Sequence, residues 1–493
     1  MKPSSVFLLT LAVAAFAGGS PDVRGQALGS LYEPAPHLSA SPRHEPRKGL
    51  DAVRRWNEIA NDASATDHIA VREQLGPGRS SRAMAIVHIA IFDALSAVTG
   101  EYESYTGIRA PSGPISMEAA ISQAARDALA ALFPAQVASF DGWLAEDLAD
   151  VKNQKAKANG IKVGKQVASA ILARRANDGS AKPEPVMGLE HITSDLPGRW
   201  RQDPISLVPI ALGAYWSECK MFVLESASQF RVPPPPALDS AEYTAAYQEV
   251  KRVGGDSMAT PTQRTPEQTQ IGIYWGYDGT PGLGAPPRLY NQIAAQIAEQ
   301  MGSDATETAR LLALVNVAMA DAGVTIWESK YHYDVWRPIT GIREADPGTG
   351  PTGAGDGNPA TIGDPTWRPL GAPASNLTGP DFTPPFPAYP SGHAGFGAVL
   401  FQTLRRFYGT DDIAFTFVSD ELNGITRDND GSLRPLVPRT FVTLSQAEEE
   451  NGQSRIYLGI HWRFDKTASI VLGRNVADYV FDHAFRPRHR RGR

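Results

Sequence analysis

The chain has 493 residues, 42% of them hydrophobic and 20% charged, an ordinary globular composition with enough length for a large core. Its formal net charge of −6 excludes nucleic acid and anionic membrane as partners for the bulk of the molecule. Cys219 is the only cysteine, so there is no internal disulfide framework, and its neighbours carry no thiol-nucleophile signature.

Residues 1–17 read as a secretory signal: Lys2, the apolar run Val6–Phe16, then Ala15-Phe16-Ala17 as a small-residue cleavage site. Export to the periplasm or out of the cell follows. Residues 18–50, rich in Pro, Ser, Gly and His, read as a mobile lead-in. From 51 to 231 the pattern is helical. Met84–Val98 is apolar nearly all round and predicts a buried helix, with His88 as a satisfied core residue. Met117–Leu132 and Lys162–Arg175 predict two more. Val232–Pro236 is a stiff polyproline connector. A second helical region runs from 237 to 485, with helices expected over Ala241–Val253, Thr306–Ala322, Phe396–Tyr408 and Lys466–His483. Within it Asp346–Pro380, dense in Gly and Pro, is a long loop suited to shaping an entrance. Strand-like alternation is scarce, so the expected fold class is all-α. Beyond the leader no segment reads as a membrane helix; Val471–Val480 comes nearest but is short and carries Arg474 and Asp478. The tail 486–493 is basic and reads as a frayed, solvated terminus.

Three short segments carry the chemistry: Lys330–Pro338 (KYHYDVWRP), Pro390–His393 (PSGH) and Ser454–Asp465 (SRIYLGIHWRFD). Taken singly, each has a plain reading. Lys330 and Arg337 would be a solvated face, Ser391 a helix cap and His461 a core histidine. Together, in this order, they describe a pocket for a tetrahedral oxyanion. Arg337 and Arg455 offer guanidinium forks and Lys330 a point charge. Lys330 and Arg337 are seven residues apart, two helical turns, so one helix face is expected to carry both, with Pro338 closing or kinking that helix. Pro390–His393 is expected to open a helix. There Ser391 supplies a hydroxyl, Gly392 a close backbone N–H, and the helix end a potential that favours anions. His393, in the first turn, suits acid–base work. Asp465 lies four residues beyond His461, the helical spacing at which it accepts from one imidazole nitrogen. The other nitrogen is then free to attack phosphorus or ligate vanadium.

These motifs resemble those of the vanadium-dependent haloperoxidases and the related type 2 phosphatidic acid phosphatases and bacterial acid phosphatases, which share K-x6-RP, PSGH and SR-x5-H-x3-D. Further text resembles the fungal vanadium chloroperoxidase branch: Thr265–Pro287, Ala320–Arg343, Pro384–Gln402 and Glu421–Gly424. The resemblance implies an all-helical fold of two four-helix-bundle-like halves, with the anion site at one end of the C-terminal bundle. It implies vanadate as cofactor, with phosphate fitting the same site, and hydrogen peroxide, halide and small organic molecules as reaction partners. His461 would be the vanadium ligand; Lys330, Arg337, Ser391, Gly392 and Arg455 would bind the equatorial oxygens; His393 would be the acid–base residue. Trp327 and Phe386 would line a halide pocket, and Asp278 would pair with Arg455. Read without the resemblance, Trp327 and Phe386 are core aromatics and Asp278 is a turn residue before Gly279. The chain departs from the family at Gly395, where Thr is common, which is expected to loosen the helix after His393. Its loops around Glu421–Gln446 are compact. The alternative reading is an acid phosphatase working through a phosphohistidine at His461. A non-catalytic oxyanion binder would not need the two histidines and Asp465.

Overall fold

The computed structural model describes residues 52–69 and 71–488, together with Leu28, Leu31, Glu33 and Pro34. The expected leader, 1–17, lies outside the described residues.

The all-α expectation holds, with one hairpin added. A first group of helices comprises α1 (Ala52–Asp67), α2 (Gly76–Thr99), α3 (Met117–Leu132), α4 (Val137–Asp150) and α5 (Gln154–Arg175). A second comprises α6 (Ala241–Val253), α7 (Pro266–Tyr274), α8 (Pro286–Gln300), α9 (Ala305–Tyr333), α10 (Pro338–Arg343), α11 (Gly392–Tyr408), α12 (Leu444–Tyr457) and α13 (Arg463–His483). Hydrophobic periodicity predicts α3 and α6 in full and the cores of α2, α5, α9, α11 and α13, while α1, α4, α7, α8, α10 and α12 are additions of the structure.

The longest helix, α9, is central. Asp304 caps it by accepting from Glu307 N at 2.8 Å, while the Glu307 carboxylate accepts from Asp304 N at 3.1 Å. Its 29 residues span about 44 Å. It packs against α2 of the first group and α8, α11 and α13 of the second. Every residue from Thr308 to Trp327 is buried, as an apolar surface on all sides requires. Both α2 and α9 are long and apolar enough to cross a membrane, contrary to the sequence reading. Both are core helices: the most apolar stretch of α9 is wholly buried within the protein and 78% of that of α2 is buried. His88, on α2, sits 2.8 Å from both Met84 O and Asn57 Oδ1, and burial lowers its pKa to about 4.

Helices α11 and α13 cross where Gly395 faces Gly473. A Cβ at 473 would lie 2.3 Å from Gly395 O, and one at 395 would lie 2.5 Å from Ile326 Cδ1. Gly395 therefore closes α9, α11 and α13 onto one another, within a helix that runs from Gly392 to Tyr408. Gly473→Ala is expected to force α11 and α13 apart and destabilise the protein by about 1–3 kcal/mol, read as a lower urea midpoint with unchanged slope.

Strands are few. β1 (Glu33–Pro34) pairs with β2 (Leu377–Thr378), and β3 (Phe415–Asn423) pairs with β4 (Leu436–Phe441) in an antiparallel hairpin with Phe415 opposite Phe441. The hairpin occupies the stretch expected to be compact loop. The lead-in is not wholly loose: Leu28 is 5% exposed and β1 is tied to β2. The start of the basic tail is also held. Arg488 N donates to Glu101 O at 2.8 Å, and the Arg486 guanidinium pairs with Glu103 at 3.0 Å.

Candidate functional site

The C-terminal ends of α9 and α12 and the N-terminal ends of α11 and α13 converge, and the three motif segments meet there. Lys330 lies in the last turn of α9, which ends at Tyr333 with Asp334 in the left-handed conformation, φ 54°. Arg337 is the N-cap of α10, and Pro338 opens that helix rather than closing α9. The expectation that Lys330 and Arg337 share one helix face is thereby corrected: a sharp corner, not a helical repeat, brings them together. Ser391 is the N-cap of α11, and Gly392 and His393 begin it. Arg455 is in the last turn of α12. His461 precedes α13, whose N-cap is Trp462. Its contact with Asp465 therefore arises from an N-terminal cap and not from neighbouring turns of one helix. The Asp465 Oδ2 atom accepts from Trp462 N at 2.9 Å and from His461 Nδ1 at 2.7 Å.

That contact fixes the tautomer. With Nδ1–H donated to the carboxylate, His461 Nε2 carries the lone pair and accepts from Arg337 Nη1 at 3.0 Å. Arg337 is held by donating Nε to Phe386 O and Nη1 to Ile460 O, both at 2.9 Å. Lys330 Nζ donates to Pro387 O at 2.8 Å and Ala388 O at 3.0 Å, which leaves one of its three protons. Arg455 Nη2 donates to Asp278 Oδ1 at 2.6 Å. His393 Nε2 donates to Gly276 O at 2.6 Å and stands 3.8 Å from Asp278 Oδ1, so in neutral His393 the lone pair is on Nδ1. Tyr290 Oη and Asn451 Nδ2 both donate to His393 O and steady the start of α11. Trp327 and Phe386 stand with ring centroids 4.9 Å apart, and Lys330 Nζ lies 5.0 Å from the Phe386 ring.

The unmet donors define what fits. Ser391 Oγ, Arg337 Nη2, and Nε and Nη1 of Arg455 are buried without a partner among the described residues. Leaving a buried donor unsatisfied costs about 1–3 kcal/mol, more if charged. Four such donors around one histidine lone pair, with a spare ammonium proton beside them, suit a compact anion with several oxygens. Burial also shifts the ionisations. Lys330 is driven well below its ordinary range by burial, then by Arg337. His461 is lowered in the same way, by burial and then Arg337. Arg337 falls to about 9 through burial, and His393 to about 4 through burial and then Arg455. Asp465 rises to about 7 because burial penalises its charge.

An anion in this cage raises the pKa of every one of these groups, so the bound state holds more protons than the free state. Affinity for a tetrahedral dianion is therefore expected to grow as pH falls from neutrality toward the His393 value of about 4. Sulfate, which has no proton to exchange there, is the suitable probe. Calorimetry in buffers of different ionisation enthalpy should show net proton uptake, and pH-independent affinity without uptake would contradict this electrostatic picture.

All the anticipated residues converge on this cage or its rim. Sequence reasoning missed the Gly276 carbonyl and a pocket wall in which Leu75 and Leu212, from the chain before α6, join Leu28, Phe382, Pro385 and Phe396 beside His393, Arg455 and His461. It also missed Glu421, although the stretch around it had stood out. Cys219 is buried with its thiol pushed up to about 12 by burial, which leaves it no part in chemistry.

A family model described as the second helical-bundle domain of vanadium chloroperoxidase matches residues 310–490. The chain is 31% identical to the vanadium chloroperoxidase of Curvularia inaequalis over 502 aligned positions, 84% of this chain and 79% of that one. In fold it is similar to a bacterial vanadium-dependent iodoperoxidase, with a TM-score of 0.70 at 24% identity over 91% of this chain and all of that one. It is also similar to an apo-type bacterial vanadium-dependent chloroperoxidase, with a TM-score of 0.60 at 16% identity over 83% of this chain and 94% of that one. The oxyanion cage and this extent of shared sequence have one reading: the chain belongs to the vanadium-dependent haloperoxidase family.

Proposed function

We propose that this enzyme oxidises halide with hydrogen peroxide, using vanadate held by Lys330, Arg337, Ser391, Gly392, Arg455 and His461. The observation that carries the proposal is the set of four unmet donors facing the single lone pair of His461 Nε2. Vanadate, when bound, supplies Lewis-acid activation of peroxide without changing oxidation state. The net reaction is X⁻ + H₂O₂ + H⁺ → HOX + H₂O: the halide gives two electrons to the O–O bond, which breaks.

The chain's own residues do the rest. His461, its Nδ1 aligned by Asp465, would hold the metal with its Nε2 lone pair. Arg337 and Arg455 would neutralise oxyanion charge, and Ser391 and Gly392 would donate from the start of α11. The spare proton of Lys330 is aimed at charge that builds on the leaving oxygen. His393, neutral at working pH, takes a proton from entering peroxide at Nδ1 and returns it to the product. Trp327 and Phe386 form an apolar aromatic wall that strips water from the incoming halide. Release of hypohalous acid or transfer of the halogen to an organic acceptor follows. Residues 1–17 would direct the protein out of the cytoplasm.

A second reading draws on the same lone pair. With phosphate esters, whose bound charge raises the His393 pKa, His461 Nε2 would attack phosphorus as the ester P–O bond breaks, protonated His393 would give its Nδ1 proton to the leaving alkoxide, and water would then cleave the phosphohistidine. The vanadate-free protein is expected to show weak phosphatase activity.

The test is purified mature protein with and without orthovanadate. Peroxide-dependent halogenation of monochlorodimedone would be followed with iodide, bromide and chloride, alongside p-nitrophenyl phosphate hydrolysis. Vanadate-dependent halogenation supports the proposal, and the chloride arm tests the Phe386 wall. Hydrolysis that vanadate inhibits, with no halogenation, would move the chain to phosphatase chemistry.

A further inference from the structure

The turn Gly276–Asp278, just beyond α7, supplies two groups to the cage. Gly276 O accepts from His393 Nε2 at 2.6 Å, and Asp278 Oδ1 accepts from Arg455 Nη2 at 2.6 Å. The turn is not at rest by itself. Tyr277 has φ 56°, a left-handed conformation that costs a side-chain-bearing residue about 1–3 kcal/mol. Something outside the turn must hold it.

That support comes from β3. Glu421 is completely buried, and its Oε1 accepts the Tyr277 N–H at 2.7 Å. Its Oε2 accepts from Ser375 Oγ and from Arg434 Nη1, both at 2.5 Å. The adjacent residue grips the other end of Tyr277: Asp420 N donates to the Tyr277 phenol oxygen at 2.8 Å. The fit admits no side chain at 276, where a Cβ would lie 2.2 Å from Glu421 Oε1. Glu421 touches none of the oxyanion-binding groups. It touches the peptide that aims two of them.

We propose that Glu421 is a positioning residue for the oxyanion site, holding the strained Gly276–Asp278 turn so that its carbonyl aligns His393 and its carboxylate aligns Arg455. The role rests on the functional reading above, and its chemistry makes it separable from plain structural support. In Glu421→Gln, an amide whose oxygen keeps the Tyr277 N–H turns its NH₂ against Arg434. Flipped, it turns its NH₂ against the Tyr277 N–H. In either orientation two N–H donors oppose each other, so the amide cannot satisfy the turn and Arg434 at once and is pushed out of the position that holds Tyr277. Removing Arg434 as well lets the amide keep Tyr277 and donate to Ser375 Oγ. The double variant Glu421→Gln/Arg434→Met therefore restores the anchor without the charges.

Glu421→Gln is expected to lower kcat about 100-fold, the scale of an ångström-sized misplacement in an active site, with KM for halide little changed. The acid limb of the kcat profile should move, because His393 loses its carbonyl acceptor. Sulfate binding to the vanadate-free protein should weaken about tenfold as Arg455 loses its aim. The double variant should regain most of all three. A folded Glu421→Gln protein with wild-type kcat, pH profile and sulfate affinity, and only a lower Tm, would overturn the proposal. So would a folded double variant as impaired as the single one. If the wild-type protein shows no vanadate-dependent halogenation, the functional reading fails on its own, and the sulfate measurements still decide the role of Glu421.

Discussion

Replacing His461 by alanine is expected to remove vanadate-dependent halogenation altogether while leaving a site that still binds sulfate. Of the groups around the cage, Lys330, Arg337, Ser391 and Arg455 present donors, and donors recognise the oxygens of any tetrahedral anion alike. His461 Nε2 is the lone pair aimed among them, 3.0 Å from Arg337 Nη1, with Nδ1 pinned to Asp465 at 2.7 Å. A lone pair bonds the central atom, and vanadium accepts such a bond where sulfur in sulfate does not. The two anions should therefore separate in the variant. Vanadate affinity is expected to fall by more than about 100-fold, since losing a ligand exceeds the 10–100-fold loss typical of removing the group that orients one. Sulfate affinity should stay within about tenfold of wild type, because each charge-assisted donor contact remains. Phosphate-ester hydrolysis should vanish too, because the nucleophile of that reaction is the same atom. Parallel calorimetric titrations of vanadate and sulfate check this. Equal losses for both anions would mean that His461 shapes the cage and bonds nothing. His461→Ala also strands Asp465, whose carboxyl burial already holds near 7, so a Tm measurement should accompany the titrations.

The cage was legible in the sequence because its residues sit in three compact motifs, each short enough for spacing to mean proximity. How the chain delivers them was less legible. Lys330 and Arg337 stand at helical spacing, yet α9 stops between them at Asp334, a left-handed cap made without the glycine that would announce it. His461 and Asp465 also stand at helical spacing, yet they meet across a helix start. In both cases the contact follows from a chain terminus that periodicity does not see. The hairpin was hidden for a related reason. β3 does alternate, with Phe415, Phe417, Ser419 and Glu421 turned inward. Its last two inward positions are polar because they bond the α7 end: Ser419 Oγ donates to Tyr274 O at 2.6 Å and Glu421 accepts from Tyr277 N. A hydrophobicity pattern is silent where function makes the buried face polar. Helix α9 was cut short for a similar reason. Its last turns carry Glu328, Lys330 and His332, which look solvated until the Lys330 site is known.

The second large effect is expected at His393. His393→Ala should lower kcat by roughly 10²- to 10⁴-fold, the usual worth of a placed acid–base group, while vanadate and sulfate still bind. The geometry supports both halves. His393 Nε2–H is spent on Gly276 O at 2.6 Å, so its available atom in the neutral ring is the Nδ1 lone pair, which can take a proton but cannot donate to an oxyanion. Binding therefore loses little with the ring, and proton transfer loses its acceptor. Burial and the nearby Arg455 hold His393 to about 4 when no anion is present, and a bound oxyanion raises it. In wild type, kcat/KM for peroxide should therefore fall as pH drops through the anion-bound value, because the protonated ring is no longer a base. In His393→Ala that acid limb should be missing and the residual rate flat. Stopped-flow measurement of the peroxide dependence across pH gives the comparison. An acid limb that survives in the variant would assign the titration elsewhere, with Asp465 the first candidate. A loss of vanadate affinity equal to the loss of rate would make His393 part of the binding cage rather than the proton carrier.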